Sequence, residues 1–428
     1  MRNFIQFFLV IVMIVEHTLP FELLKSIFCP PIPRLVRIRN VSATPKTLKN
    51  SQLLVVLDFV GLVQRHGYSA EEHNVTTEDG YNLLIHRIPD SPAKVEIKKK
   101  PVVFLQHGVM ASSDSWVLFG PRRDLAFLLA DAGYDVWVGN IRGNTYTRSH
   151  IELSASEPEF WKFSYHEMSQ YDIPAMIDYI LKETEVKSLV YIGHSMGTTI
   201  IYALLSTKPE YNDKIKLIVS LAPIVYWKQP FTNLIKIIVD NTAEFENIFK
   251  KNGIWEILPQ STSVAKLVKT FCEDKAITQP ACISLIFLLS GSDIAQLNTS
   301  LIPYVGSFFP AGVSLFTLSH YYQNIVTGKF QQYDFGYVEN FARYAQKSSP
   351  EYDMKRITAP SILMYGQNDA ISLKKNIMEL ENRLSNVIVS DELSYRWFTH
   401  LDFLWGSDSK MFLYDKIIEL LEKYGGKN

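Results

Sequence analysis

The segment that decides the fold is YIGHSMGTT, residues 191–199, with Ser195 at its centre. The run before the serine, SLVYIG at 188–193, is short, apolar and bounded by turn residues, which predicts a buried strand. The run after it, TTIIYALLS at 198–206, places bulky apolar residues on one face at helical spacing. Ser195 is therefore predicted to lie at a sharp strand-to-helix turn.

Two glycines make this turn suitable for a nucleophile. A reversal this sharp strains the backbone of Ser195 and brings its neighbours close together, and Gly193 and Gly197 lack the Cβ atoms that would collide there. The hydroxyl then stands clear of the backbone above a helix N-terminus, where the helix dipole favours negative charge. We predict a nucleophile elbow with Ser195 as the nucleophile.

Strands and helices alternate on both sides of the elbow, which predicts an α/β fold with a mainly parallel central sheet. The other predicted strands are a hairpin at 71–89, runs at 101–108, 134–140, 214–223 and 359–369, and a weaker run at 386–390. The other predicted helices are 51–67, 122–133, 168–184 with Pro174 in its first turn, 372–384 and 409–424.

The alternation stops between residues 225 and 352, where aromatic and apolar residues follow no strand rhythm. We expect this segment to be an inserted, mostly helical domain. The core is then formed by residues 51–224 and 353–428, and residues 21–50 form an N-terminal arm or propeptide.

The N-terminus is predicted to be a signal peptide, residues 1–20. Arg2 precedes the apolar run FIQFFLVIVMIV, which is too short to span a membrane comfortably. Cleavage is expected anywhere from about residue 16 to 30, and an uncleaved signal anchor is the alternative. Three N-x-[ST] sequons, at Asn40, Asn74 and Asn298, agree with a secretory route.

The composition restricts the functional class. The chain has 428 residues, of which 47% are hydrophobic and 20% charged, as in ordinary globular proteins, and its net charge is −1. This balance argues against a nucleic-acid partner. No H-E-x-x-H or C-x-x-C pair and no glycine-rich phosphate loop is found, so we predict neither a metal nor any other cofactor.

A serine hydroxyl needs an adjacent base, and after an elbow of this kind the partners follow in the order serine, acid, histidine. Only His320 and His400 follow Ser195. His320 falls inside the proposed insertion, whereas His400 stands in the loop WFTHLDFLWG before the last predicted helix. His400 is the predicted base.

The acid is expected in a loop that follows a strand. Asp369 meets this condition, because SILMYGQND ends an apolar strand in a glycine turn. Asp334, Asp353, Asp391 and Asp402 are the rivals. Asp402 is too close in sequence to the predicted base to come from a separate strand, and Asp391 remains the main alternative.

The oxyanion that develops during acyl transfer needs hydrogen-bond donors that are in place before reaction. One predicted donor is the backbone N–H of Met196, directly after the nucleophile. The other is the backbone N–H of Val109, in the glycine loop LQHGVM. We expect His107 to pack structurally and His194 to be a buried neighbour of the elbow.

Six long motifs in the same order resemble the acid lipase family, which comprises the gastric and lysosomal acid lipases and their insect relatives. The resemblance extends from about residue 52 to 406, and the motifs are EEHNVTTEDGYNLLIHRIP, PVVFLQHGVMASSDSWV, LADAGYDVWVGNIRGNTYTRSH, FWKFSYHEMSQYDIPAMIDYI, GHSMGTT and HLDFLWG. It implies an α/β-hydrolase core, a cap with a lid, and hydrolysis of neutral-lipid esters. The family's triad falls on Ser195, Asp369 and His400, and its oxyanion amides fall on Val109 and Met196.

The chain departs from the family pattern at two places. Met196 replaces the usual glutamine, and because that position contributes a backbone N–H, activity should persist.

Cys272 and Cys282 resemble two of the three cap cysteines, and Ser290 replaces the third. We predict a disulfide between Cys272 and Cys282, since the loop between them is short and Cys29 lies in the N-terminal arm.

The sequence therefore predicts a lipase, either secreted or lysosomal, that acts on neutral-lipid esters at a droplet, micelle or emulsion interface. No stable protein partner is predicted. A carboxylesterase for smaller or unusual lipophilic esters is the first alternative, and a non-catalytic lipid-binding relative is the second. The apolar stretches 283–291 and 308–318 are expected either to form the lipid-facing surface of the cap or to be its own core.

Overall fold

The computed structural model describes residues 36–39, 55–93, 99–228 and 233–426. The predicted signal peptide, Cys29 and Asn40 lie outside these residues. In the described part of the chain, no helix has both the length and the apolar character needed to cross a membrane.

A nine-stranded sheet forms the centre of the molecule. The described strands are β1 (Val36–Ile38), β2 (Val55–Leu57), β3 (Glu71–Thr76), β4 (Tyr81–Ile88), β5 (Val102–Gln106), β6 (Asp135–Val138), β7 (Ser149–His150), β8 (Leu189–His194), β9 (Ile215–Leu221), β10 (Glu256–Ile257), β11 (Val313–Ser314), β12 (Ser361–Tyr365) and β13 (Val387–Glu392). The order across the sheet is β13-β12-β9-β8-β5-β6-β4-β3, and β7 pairs with β4. All pairs from β13 to β6 are parallel, while the pairs that involve β4 are antiparallel. The predicted, mainly parallel α/β sheet is confirmed.

Helices cover both faces of this sheet. The described α-helices are α1 (Phe59–Gln64), α2 (Leu125–Asp131), α3 (Tyr165–Glu167), α4 (Ile173–Thr184), α5 (Met196–Thr207), α6 (Asn233–Lys251), α7 (Thr262–Cys272), α8 (Gln279–Ser290), α9 (Ile302–Val305), α10 (Leu315–Thr327), α11 (Tyr337–Tyr344), α12 (Lys374–Arg383), α13 (Asp402–Trp405) and α14 (Asp415–Tyr424). Alternate side chains of β8 enter opposite cores: Tyr191 joins the cluster containing α4 and α5, and Val190 and Ile192 join the cluster containing α1, α2 and α14. Burial on both faces explains why the central strands read as continuous apolar runs.

Three predicted helices differ in detail from the structure. The helix expected at 409–424 begins with a π-helical stretch, Lys410–Tyr414, before α14. Within the described residues, the helix expected at 51–67 is confined to α1, because Val55–Leu57 form β2 and Asp58 caps the N-terminus of α1 by accepting a hydrogen bond from the Gly61 N–H at 2.7 Å. The helix expected at 168–184 starts with a π-helical stretch, Met168–Asp172, and Pro174 lies in the first turn of α4 as predicted.

The segment between β9 and β12 is mostly helical. It contains α6 to α11 and the short antiparallel pair β10–β11, and within the described residues neither of these two strands joins the central sheet. This arrangement agrees with an insertion into the core, and the boundaries at residues 225 and 352 stay a prediction.

The two apolar stretches of this segment have different environments. The first lies on α8, where Leu285 and Leu289 are each 40% exposed. The second is largely buried: Phe308 joins the main core, and Val313 and Leu315 pack in a small cluster that belongs to the insertion. Only the first stretch therefore contributes to an exposed apolar surface, and the second is part of the packed interior.

A disulfide joins Cys272, at the end of α7, to Cys282 in α8, as predicted. Both cysteines are buried in a small cluster with Ile302. The bond thus joins two helices of the insertion, and neither cysteine lies in the central sheet.

We expect the double variant Cys272→Ser, Cys282→Ser to be destabilised locally. Opening a loop of this length removes about 2–3 kcal/mol of stabilisation on the chain-entropy model. Amide hydrogen exchange should become faster in α7 and α8 and stay unchanged in β8 and α5. An equal loss of protection in the central sheet would contradict this local role.

Candidate active site

Ser195 occupies the strained turn that the sequence predicts. It lies between the end of β8 at His194 and the start of α5 at Met196, with φ 53° and ψ −118°. Such backbone costs about 1–3 kcal/mol and persists only where the surroundings hold it. Here the Ser195 N–H donates to the Leu221 carbonyl at 3.0 Å, and the Thr198 hydroxyl donates to the Ser195 carbonyl at 2.6 Å.

The glycines around the serine are required by close backbone contacts. A Cβ on Gly193 would lie 2.8 Å from the Gly197 carbonyl, and one on Gly197 would lie 2.5 Å from the Gln106 carbonyl oxygen. A Cβ on Gly108 would lie 3.0 Å from the Cβ of Ser195. The loop after β5 is therefore pressed against the elbow, and Gly108 belongs to the site although the sequence analysis did not single it out.

Ser195, His400 and Asp369 form a continuous chain of hydrogen bonds. The Ser195 Oγ lies 2.9 Å from His400 Nε2, and His400 Nδ1 lies 2.8 Å from Asp369 Oδ2. The three residues are 6%, 5% and 3% exposed, so the chain is almost closed to solvent. This spacing allows the imidazole to accept the hydroxyl proton while the carboxylate orients the ring.

Asp369 is held by its other oxygen. Its Oδ1 accepts hydrogen bonds from the backbone N–H groups of Ile371 and Ser372, both at 2.8 Å, which leaves Oδ2 to the imidazole. The four rival carboxylates have other partners: Asp391 pairs with Lys416, Asp402 accepts from Thr399, Asp353 accepts from Lys355, and Asp334 accepts from Gly336 and Asn340.

The other three histidines of the prediction, His107, His194 and His320, are buried. His320 stacks on Tyr165 at 3.8 Å between ring centres, and burial lowers its pKa to about 3. His107 bonds to the Gly108 carbonyl at 2.8 Å through Nδ1, and burial lowers its pKa to about 4. His194 packs against His400 at 4.9 Å, and burial lowers its pKa well below the usual value.

The backbone N–H groups of the two predicted oxyanion donors, Met196 and Val109, make no backbone hydrogen bond in the described residues. Met196 is the first residue of α5, so its N–H has no acceptor within the helix. Val109 follows Gly108 directly, and the next residue, Met110, has a positive φ of 58°, which turns the loop.

Asp402 is a buried carboxyl beside these residues that the sequence analysis considered only as a rival acid. Its Oδ2 accepts a hydrogen bond from the Thr399 N–H at 2.7 Å. Burial raises the pKa of Asp402 to about 6, and the carboxylates of Asp293 and Asp369 act in the same direction.

We expect Asp402 to make folding more favourable at acid pH. The folded state keeps the Asp402 proton up to about pH 6, whereas the unfolded chain releases it near pH 4. The stabilisation by protonated Asp402 is therefore lost as the pH rises from about 4 to about 6. This difference between the folded and unfolded pKa of Asp402 corresponds to about 3 kcal/mol of unfolding free energy. In urea unfolding, Asp402→Asn should therefore show a smaller fall in unfolding free energy from pH 4 to pH 7 than the unchanged protein. Equal falls in the two proteins would refute this assignment.

The described residues contain no group of three or more His, Cys, Asp or Glu side chains arranged to hold a metal ion.

Comparison with known proteins identifies the family. The model of a partial α/β-hydrolase lipase region matches residues 59–120, and that of the α/β hydrolase fold matches residues 101–407. Lipase 3 of Drosophila melanogaster is 37% identical over 85% of this chain and 92% of its own length. The lysosomal acid lipase/cholesteryl ester hydrolase of Homo sapiens is 38% identical over 85% of this chain and 90% of its own, and the gastric triacylglycerol lipase of Rattus norvegicus is 38% identical over 83% and 89%.

A solved structure supports the same fold. The structure of DcsB in complex with its substrate analogue aligns with a TM-score of 0.51 at 12% identity, over 84% of this chain and 100% of that one. At this identity the likeness concerns the fold alone. The sequence relatives carry the assignment further: the chain belongs to the acid lipase family, serine ester hydrolases built on the α/β-hydrolase fold.

Proposed function

We propose that this chain is a lipase that hydrolyses carboxylic ester bonds of neutral lipids, triacylglycerols or sterol esters, through an acyl-enzyme on Ser195. The observation that carries the proposal is the hydrogen-bonded series Ser195–His400–Asp369 at an elbow. The names of the relatives, gastric triacylglycerol lipase and lysosomal acid lipase/cholesteryl ester hydrolase, support the substrate class.

In the acylation step, Ser195 Oγ attacks the ester carbonyl carbon and His400 Nε2 accepts the hydroxyl proton. Asp369 Oδ2 accepts the Nδ1–H bond, fixes the tautomer and offsets the charge of the imidazolium. The tetrahedral oxyanion accepts hydrogen bonds from the amides of Val109 and Met196. When it collapses, the carbon–oxygen bond to the alcohol breaks, and His400 returns the proton to the leaving alcohol.

Deacylation repeats these steps with water. His400 accepts a proton from the water as its oxygen attacks the acyl carbon, and then protonates Ser195 Oγ as the acid product leaves. Each residue returns to its starting state, and the cycle consumes one water and one ester. No cofactor is needed for this reaction.

The surface of the insertion supports a lipid substrate over a dissolved ester. Large apolar side chains are exposed on α7, α8 and the loops that follow them, namely Leu267, Phe271, Ile277, Leu285, Leu289 and Ile294. An exposed apolar group of this kind is typical of a surface that contacts other molecules or lipid. A droplet, micelle or emulsion interface would cover it, whereas the carboxylesterase alternative gives it no partner.

Replacing the nucleophile tests the proposal. Ser195→Ala should fold normally and lose activity by a factor on the order of 10⁶, because the acyl-enzyme cannot form. The measurement is hydrolysis of emulsified triacylglycerol, emulsified sterol ester and a dissolved short ester, with a serine-directed phosphonate to label the wild type.

The three substrates distinguish the lipase from the carboxylesterase and from the non-catalytic lipid-binding relative. The proposal expects faster hydrolysis of an emulsified ester than of the dissolved one, and phosphonate attached to Ser195. Hydrolysis of the dissolved ester alone favours the carboxylesterase, and the absence of both hydrolysis and labelling favours the non-catalytic lipid-binding relative.

We also infer that the chain enters the secretory pathway and acts outside the cell or in lysosomes. The N-terminal apolar run, the Cys272–Cys282 bond and the sequons support this route. Of the two sequons that the structure describes, Asn74 lies exposed on β3 and Asn298 lies exposed at the start of a short turn after α8.

We expect an N-glycan at Asn298. Secreted protein should lose mass on treatment with an N-glycosidase, and both Asn298→Gln and Ser300→Ala should remove the same increment, because each destroys the sequon. Asn74→Gln is the matched control for the other described sequon. A product of unmodified mass that remains inside the cell would contradict the secretory proposal.

A further inference from the structure

The loops that carry Asp369 and His400 are both bound to one short segment of the insertion, residues 290–292. The carbonyl oxygen of Ser290 accepts hydrogen bonds from the backbone N–H of His400 at 3.0 Å and from that of Ala370 at 3.3 Å. Ser290 ends α8, where carbonyl groups lack partners within the helix. The end of one cap helix therefore holds the backbone of the proposed base and that of the residue after the proposed acid.

Asn368, the residue before the proposed acid, joins the same three segments through its side chain. Its Nδ2 donates to the Ser292 carbonyl at 2.8 Å and to the Trp397 carbonyl at 3.2 Å. A carboxamide nitrogen carries two hydrogens, so both donors are used. Asn368 thus links the acid loop to the insertion on one side and to the histidine loop on the other.

The fit between these segments is tight. Gly291 has φ 108°, a backbone conformation that residues with a Cβ rarely adopt. A Cβ at this position would lie 2.0 Å from the Asn368 carbonyl oxygen and 3.1 Å from the Cγ2 of Thr399. Residues 290–292 consequently fill the space between the two loops.

The residues that follow this segment, Asp293 and Gln296, also form hydrogen bonds to the C-terminal part of the core. The Tyr395 hydroxyl donates to Asp293 Oδ1 at 3.2 Å. The Ser407 N–H donates to the Gln296 carbonyl at 3.0 Å, and the Asp408 N–H donates to Gln296 Oε1 at 2.7 Å. Residues 290–296 are therefore joined to the histidine loop and the residues after it by several hydrogen bonds.

We propose that Asn368 is a positioning residue for the imidazole–carboxylate pair, an inference that rests on the proposed function. Through its two hydrogen bonds it fixes the distance between the acid loop and the histidine loop, with residues 290–292 as the spacer. It does not touch the reacting atoms. Its effect is on the geometry of the pair, to which turnover is sensitive because a displacement of about 1 Å can cost about 10²-fold in rate.

The test compares Asn368→Ala and the near-isosteric Asn368→Leu with the unchanged enzyme on a dissolved short ester. Both variants should lower kcat and the rate constant for inactivation by a serine-directed phosphonate by on the order of tenfold, because both steps depend on the imidazole–carboxylate pair. KM should stay within about twofold, since ester binding is untouched. If Asn368 had a purely structural role, its replacement would lower the melting temperature without lowering kcat selectively over KM.

Asn386→Ala is the matched control. The Asn386 Nδ2 also donates to a backbone carbonyl, that of Thr358, at 3.0 Å, but at the start of β13 and away from the elbow. This variant should keep kcat while losing a comparable amount of thermal stability.

The outcomes are distinguishable. Unchanged kcat in folded Asn368→Ala and Asn368→Leu would overturn the inference, as would an equal loss of kcat in Asn386→Ala. If neither variant folds, Asn368→Ser, which is too short to reach both carbonyls, is judged by the same kcat criterion. Failure of the proposed function is a separate result, in which the unchanged protein neither hydrolyses ester nor reacts with phosphonate.

Discussion

The strained backbone of Ser195 is the constraint on which the rest of the structure depends. A non-glycine residue at φ 53° is stable only if neighbouring elements hold it, and here β8 and α5 enter and leave the turn directly. β8 is held between β5 and β9 in the middle of the sheet. The sheet therefore supplies the rigidity, and the glycines supply the space, that together direct the Ser195 hydroxyl toward His400.

The parallel direction of the central strands explains why the other groups lie near this hydroxyl. β5, β8 and β12 run in the same direction, so the loops that carry Val109, Ser195 and Asp369 leave the sheet at one edge. In open α/β sheets this edge, at the carboxyl ends of the strands, is where ligands bind. His400 lies near the same carboxyl ends of the strands, in a loop that follows β13, the outermost strand of the sheet. Its Nδ1 is hydrogen-bonded to Asp369.

The insertion is connected to this site in two ways. It exposes large apolar side chains on α7 and α8, the surface that we propose contacts lipid, and the end of α8 is bonded to the loops of Asp369 and His400. Two of these exposed side chains, Leu285 and Leu289, lie on α8 itself, which the disulfide joins to α7. The end of α8 that is bonded to the Asp369 and His400 loops thus belongs to a helix that also carries exposed apolar side chains, and these bonds limit how far α8 can move at its C-terminal end.

The sequence by itself determined the elements whose signals are local. The apolar runs fixed the central strands, the two glycines fixed the elbow, and the order of residues after Ser195 pointed to Asp369 and His400. Periodicity and backbone sterics act over a few residues, so they are readable without a fold. The residue order alone left Asp391 as an alternative acid, and the tertiary structure shows that Asp391 pairs with Lys416 whereas Asp369 lies beside the imidazole. The tertiary structure also decided which apolar stretch is exposed, since burial depends on what packs from elsewhere in the chain. The Ser290 carbonyl gave no signal at all, because every residue has a carbonyl and only the fold determines which donors approach it.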